Sequence, residues 1–224
     1  MNVVQESVAI QAAGVALDAD VVVPESALGV VLFAHGSGSS RHSPRNRYVA
    51  GELQRARLAT VLADLLTAEE DDLDARTGRL RFDIGLLAAR VIALTDWVRA
   101  RQQTAGLPVG LFGASTGAAA ALVPAAERPD TVAAVVSRGG RPDLAGPYLH
   151  AVRQPTLLIV GGRDDVVIEL NRQALKQLAG ETRLEIVPKA THLFEEPGAL
   201  EHVAHLARDW FVDHLRRTAS DPKR

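Results

Sequence analysis

No cysteine occurs anywhere in the 224 residues. That absence excludes a disulfide framework, a thiolate nucleophile and a cysteine-based zinc site. Any nucleophile is therefore Ser, Thr, Lys, Asp, Glu or a water. Net charge is nearly absent too: 25 Lys and Arg stand against 27 Asp and Glu, a formal charge of −2. Such a balance gives no electrostatic reason to bind nucleic acid or an anionic membrane. No apolar run approaches the roughly eighteen residues of a membrane span. The start "MNVVQESVAIQ" lacks the basic residues and apolar core of a signal peptide. The expectation is a cytoplasmic protein with neither nucleic acid nor membrane as partner. Internal repeats and long linkers are also missing. "HGSGSSRH" matches neither G-x-G-x-x-G nor G-x-x-x-x-G-K-[ST], which sets aside a Rossmann-type nucleotide binder.

What is present is a 47% hydrophobic, 23% charged composition, ordinary for a soluble, well-cored globule. Apolar runs end in Gly, Pro, Asp or Ser at "GVVLFAHG" (29–36), "LATVLADL" (58–65), "PVGLFGAS" (108–115), "TVAAVVSRGG" (131–140), "PTLLIVGGRD" (155–164) and "RLEIVPKATH" (183–192). Continuous rather than alternating hydrophobicity indicates strands buried on both faces, as in a parallel sheet. Ahead of them "SVAIQA" and "VALDADVVVP" alternate and read as an antiparallel edge hairpin. Ile84, Leu87, Ala88, Val91, Thr95 and Val98 recur at helical spacing, with Arg90, Asp96 and Arg99 off the stripe. Leu200, Val203, Ala204, Ala207, Trp210 and Phe211 repeat the pattern. Strands alternating with helices predict one α/β domain over residues 1–224, with a polar, frayed tail from about 216. The acidic stretch "AEEDDLDARTGRLR" (68–81) is the longest polar insert. Pro124 is expected to kink or shorten the helix that follows the third run. The sequence leaves oligomeric state open, and a homo-oligomer is compatible with it.

In open α/β sheets, ligands collect outside the carboxyl ends of the strands, so polar residues there carry the functional weight. "GASTG" fits G-x-S-x-G, with Ser115 between Gly113 and Gly117. The glycines allow a sharp strand-to-helix turn that leaves the serine Oγ projecting, with the N–H of Thr116 at a helix N-terminus. A serine needs a base, and the base an orienting group. Of seven histidines, His192 alone ends a predicted strand and precedes the last helix. Asp164 and Asp165 close the preceding strand. Asp164 is preferred as the orienting carboxylate, and a helix N-cap is the alternative role for either. The order Ser115, Asp164, His192 is that of an α/β-hydrolase triad. "HGSG" (35–38) offers a second oxyanion donor, the backbone N–H of Ser37 or its neighbour, with Gly36 letting the chain approach the substrate. His35 is expected to fix that loop rather than act in catalysis. Arg41, Arg45, Arg47, Arg138 and Arg141 lie in loops at the same edge, where a guanidinium can bind a substrate carboxylate.

With "HGSGSSRHSPRN", "GASTGAAAAL", "VVSRGGRPDL", "PTLLIVGGRDDVVIELN" and "ATHLFEEPGALE" in view, the chain resembles the α/β-hydrolase superfamily. Within it, the small, lidless dienelactone-hydrolase-like group is the nearer resemblance, over residues 28 to 215. The resemblance implies a mostly parallel twisted sheet of about seven or eight strands, helices on both faces and no cap domain. It implies Ser115, Asp164 and His192 as triad, Thr116 and Ser37 as oxyanion donors, and no metal or organic cofactor. Dienelactone hydrolase proper uses a cysteine nucleophile, where this chain has serine. The expected activity is hydrolysis of a small carboxylic ester or lactone in an open cleft. Acyl transfer to an alcohol or peroxide at the same site, or a binding module without turnover, are the alternatives.

Overall fold

The computed structural model describes residues 3–220. Eight strands form one sheet: β1 (Val3–Ala12), β2 (Val15–Pro24), β3 (Gly29–Ala34), β4 (Leu58–Ala63), β5 (Val109–Ala114), β6 (Val132–Arg138), β7 (Thr156–Gly161) and β8 (Thr182–Val187). Their order is β1-β2-β4-β3-β5-β6-β7-β8. β1 and β2 make the expected hairpin, in register from Val3 opposite Pro24 to Ala12 opposite Val15. Its turn, Ala13 and Gly14, has φ of 50° and 86°, the paired positive values that match the strand twist. β2 also runs antiparallel to β4, and all remaining pairs are parallel. Strands β3, β4, β5 and β7 are buried along their whole length, which is why their sequences do not alternate.

Helices α1 (Pro44–Arg55), α2 (Ala68–Thr77), α3 (Ile84–Ala100), α4 (Gly117–Glu127), α5 (Asp165–Leu175) and α6 (Ala199–Ser220) connect and cover the strands. On one face, α1 and α6 pack Val49, Leu53, Trp210 and Phe211 over Phe33, Phe112 and Ile159. On the other, α3 and α4 pack Leu94, Val98 and Leu122 over Leu32, Leu111 and Leu158. Among the described residues, no helix is long and apolar enough to cross a membrane.

Several expectations need correction. The apolar runs overshoot the strands by up to five residues, and the overshoot is the loop segment that carries polar groups. The polar insert at 68–81 forms α2 and a short 3₁₀ turn, Leu80–Phe82. Thr67 and Glu70 make a reciprocal capping box at the start of α2. Glu70 also pairs with Arg90, whose two terminal nitrogens lie 2.6 Å from its oxygens. Arg90 is therefore buried, not on the outer face of α3. Pro124 does not end α4, which continues to Glu127 with Arg128 N–H donating to the Pro124 carbonyl at 2.8 Å. The tail expected to fray from 216 is helical to Ser220, and its last four residues lie outside the described part.

Candidate active site

β5 ends at Ala114, and α4 begins three residues later. A Cβ on Gly113 would lie 2.5 Å from Ala118 Cα, and one on Gly117 would lie 2.6 Å from the His35 carbonyl. Only glycine lets strand, corner and helix pass this closely. The corner itself is Ser115, at φ 52° in the left-handed region that a side chain disfavours. Neighbouring backbone holds it there. Ser115 N–H donates to the Arg138 carbonyl at 3.2 Å, and its own carbonyl accepts from Ala118 at 3.1 Å and Arg141 at 3.0 Å.

His192 stands on the loop after β8. Arg163 N–H donates to the Ala190 carbonyl at 2.9 Å, and Glu196 accepts from Thr191 N–H at 3.0 Å. Phe194, buried at φ 56°, anchors the far side of that loop. Asp164 sits at the N-terminal boundary of α5 yet makes no side-chain capping bond. Its carboxylate instead meets His192 Nδ1 at 2.6 Å. With the carboxylate accepting, Nδ1 carries the proton and Nε2 is left with its lone pair. Asp165, the other carboxylate considered, is the first residue of α5 and is exposed. Gly139 brings the two halves together. A Cβ there would lie 3.5 Å from His192 Cε1, so the imidazole rests against the Arg138–Arg141 segment that also holds Ser115.

The β3–α1 loop approaches from the other side. A Cβ on Gly36 would lie 2.7 Å from Ser115 Cβ, so glycine permits the contact. Ser37 Oγ and Thr116 Oγ1 are 3.2 Å apart and tie this loop to the corner. Among the described residues, neither the Ser37 nor the Thr116 N–H donates to a protein acceptor. His35 is buried and fully bonded: Nε2 accepts from Leu65 N–H at 2.9 Å, and Nδ1–H donates to the Gly36 carbonyl at 3.0 Å. Burial lowers its pKa, which keeps the ring neutral. Because a trans peptide points C=O and N–H oppositely, fixing the Gly36 carbonyl also fixes the direction of Ser37 N–H.

Of the five arginines expected in loops, Arg45 and Arg47 lie in α1 and Arg138 ends β6, and their partners divide them. Arg41 is taken up by Asp64, with Asp18 and Asp20 nearby. Arg47 pairs with Asp20 at 2.9 Å, and Arg141 grips Asp143 through two bonds of 2.9 and 2.7 Å. Arg45 reaches only the exposed Glu195, at 3.5 Å. Arg138 has no carboxylate partner among the described residues; its bond is to Asn46 Oδ1, at 3.1 Å. The sequence reading did not single out Asn46, Gly139 or the Glu70–Arg90 pair. None of these left a sequence signal; the T-x-x-E pattern of Thr67 and Glu70 marks only the capping box. A narrow cavity of about 10 Å³ beside Ser37 and Thr116 is lined by Asp71, Asp74 and Arg81, so the α2 segment borders the site.

The sheet order, the serine corner and the absence of a separate cap among the described residues define an α/β-hydrolase fold. The chain belongs to the dienelactone hydrolase family, whose model matches residues 17–215. It is similar to a crystallographically characterised dienelactone hydrolase from Anabaena variabilis: 60% identity, TM-score 0.93, over 96% of this chain and 99% of that one. Two Mycobacterium tuberculosis proteins, from strains CDC 1551 and H37Rv, are 59% identical over 210 residues, and their names propose a phosphoribosyl transferase. The match covers 94% of this chain but 46% of each of them, so the chain spans about half the length of these curated relatives. Est1E from Butyrivibrio proteoclasticus shares the fold alone, at 14% identity and TM-score 0.78, over 93% of this chain and 98% of that one.

Proposed function

We propose that the protein is a serine hydrolase that cleaves small carboxylic esters or lactones through an acyl-enzyme, in the cytoplasm and without a cofactor. One arrangement carries the reading: Ser115 on a left-handed corner, with the His192–Asp164 pair at 2.6 Å leaning on the segment that holds that corner. In this reading His192 Nε2 takes the Ser115 hydroxyl proton as Oγ bonds to the acyl carbon. The carbonyl electron pair moves to oxygen, where the N–H groups of Thr116 and Ser37 receive it. Each such donor contributes about 3 kcal/mol to the transition state. Collapse breaks the ester C–O bond, and the departing alkoxide takes the proton from Nε2. A water, deprotonated by Nε2, then attacks the acyl-enzyme, and release of the acid returns the proton to Ser115. Asp164 holds the tautomer and stabilises the imidazolium.

The transferase in the mycobacterial names is proposed for proteins about twice this length. A serine corner beside an imidazole–carboxylate pair supports acyl chemistry instead. The test is kcat/KM for 4-nitrophenyl acetate in wild type and Ser115→Ala. A fall of about 10³ or more in the variant is expected; equal rates contradict the reading.

A further inference from the structure

Asn171 lies in the middle of α5, the helix that starts just after Asp164, and it is fully buried. Its amide nitrogen donates to two carbonyls. One is that of Val167, a turn back in the same helix, at 2.8 Å. The other lies outside the helix, on Gly140, at 3.0 Å. The opposite amide orientation would set Oδ1 against two carbonyl oxygens, so the chemistry fixes which atom donates. Oδ1 is then buried with no partner. Leucine, with the same branching, would carry a stronger helix propensity and no polar atom to desolvate. Packing alone therefore does not account for an amide at this position. Gly140 is confined from its other sides as well. A Cβ there would lie 1.9 Å from Ser137 Oγ and 2.5 Å from Ala118 Cβ, so β6 and α4 wall it in. Its two neighbours in the chain serve the site. Gly139 backs the His192 ring, and Arg141 N–H donates to the Ser115 carbonyl at 3.0 Å. At the head of α5, Asp164 bonds His192 Nδ1. Asn171 is thus a polar tie between the helix that follows the imidazole's carboxylate and the segment that holds the serine corner. Among the described residues, no other side chain of α5 hydrogen-bonds outside that helix.

We propose that Asn171 is a positioning residue that clamps α5 to Gly140 and thereby fixes how His192 and Ser115 meet. The inference rests on the ester-hydrolase reading for its catalytic consequence, but not for the clamp itself. Asn171 acts through the backbone of the Gly139–Arg141 segment and touches no reacting atom. Without its amide, helix and segment keep their apolar packing but lose the bond that sets their separation. Reacting groups tolerate little drift of this kind, because a displacement of about 1 Å can cost a hundredfold in rate. The loss falls on the chemical step rather than on substrate binding.

The test uses Asn171→Leu, which removes both bonds, and Asn171→Thr, whose single hydroxyl hydrogen goes to the Val167 carbonyl and leaves Gly140 unheld. Methyl butanoate is an unactivated ester, so its chemistry is slow and KM reports binding. Both variants should lose about ten- to a hundredfold in kcat, with KM within about twofold. Amide hydrogen exchange, followed by NMR, reads the clamp without any turnover. The N–H groups of Gly139 and Arg141 should exchange about tenfold faster in both variants, with Leu111 in β5 unchanged. Exchange that is unchanged at Gly139 and Arg141 in a folded variant overturns the clamp. Where wild-type turnover depends on Ser115, an unchanged kcat or a loss confined to KM overturns it too, and leaves the hydrolase reading standing. Where turnover does not depend on Ser115, faster exchange in the variants upholds the clamp, and the hydrolase reading alone falls. If neither variant folds, the wild type decides. Its Asn171 side-chain hydrogens are expected to exchange at least about tenfold more slowly than those of the exposed Gln103, and equal rates overturn the clamp.

Discussion

Ser115 holds its side chain on a backbone that glycine would adopt at less cost, at φ 52°. Such a conformation costs roughly 1–3 kcal/mol and persists because strand, helix and the Arg138–Arg141 segment all fix it. Ser115→Gly should therefore melt a few degrees above wild type, by about 1 kcal/mol, while losing ester turnover. Ser115→Ala should lose turnover without that gain, because alanine keeps a Cβ. Equal melting temperatures for the two variants would show that the corner stores no strain. The two neighbouring aspartates separate as sharply. Asp164→Asn should lower kcat/KM by about 10²–10⁴, since it disturbs the imidazole tautomer. Exposed Asp165→Asn should change it less than about threefold. Comparable losses in both would contradict the geometry at 2.6 Å.

At the scale of elements, α2 shows how a helix forms without an apolar stripe. Its only buried residue is Asp74, and it is held by the Thr67–Glu70 capping box, the Glu70–Arg90 pair and the Asp74–Arg81 bond at 2.7 Å. Glu70→Gln leaves Arg90 buried with one less charge to face, and should destabilise the protein by about 3 kcal/mol in urea unfolding. A loss under about 0.5 kcal/mol would mean that the pair is a solvated surface contact. The same element marks the limit of the sequence. Strands β3 to β7 were legible because burial on both faces forces unbroken apolar runs, whereas Arg183 and Glu185 interrupt the half-buried edge strand β8; Ser115, Asp164 and His192 stood out as polar residues where the runs stop. The insert at 68–81 showed only as a polar stretch because its anchors are charged groups, among them Arg90 of α3. The isolation of Arg138 was equally hidden: which arginines find a carboxylate depends on loops brought together only by the fold.

For the molecule as a whole, acid is the direction of weakness. His35 has a folded pKa below the ordinary 6.5, because burial disfavours its charged form. The unfolded chain therefore binds this proton first, and stability declines as pH falls below about 6.5. Glu70 is held below the usual 4.5, chiefly by its bonds to Arg90. Asp74 lies below its usual 3.8 despite burial, because the backbone and side chain of Arg81 favour its charged form. Their contributions are present above the unfolded carboxylate values and are lost as pH falls through the lower folded ones. A melting-temperature profile should be level above about pH 7, decline below 6.5 and decline more steeply below about 4.5. His35→Gln should flatten the first decline. A level profile from pH 7 to 5 in wild type would contradict a neutral, buried His35.

The central claim is that Ser115 is an activated nucleophile, and intact-mass measurement after incubation with a fluorophosphonate tests it most directly. The account predicts a single covalent adduct on the wild-type chain, mapped to Ser115 and absent from Ser115→Ala. An unmodified wild type, or an adduct that forms equally on the variant, would contradict it.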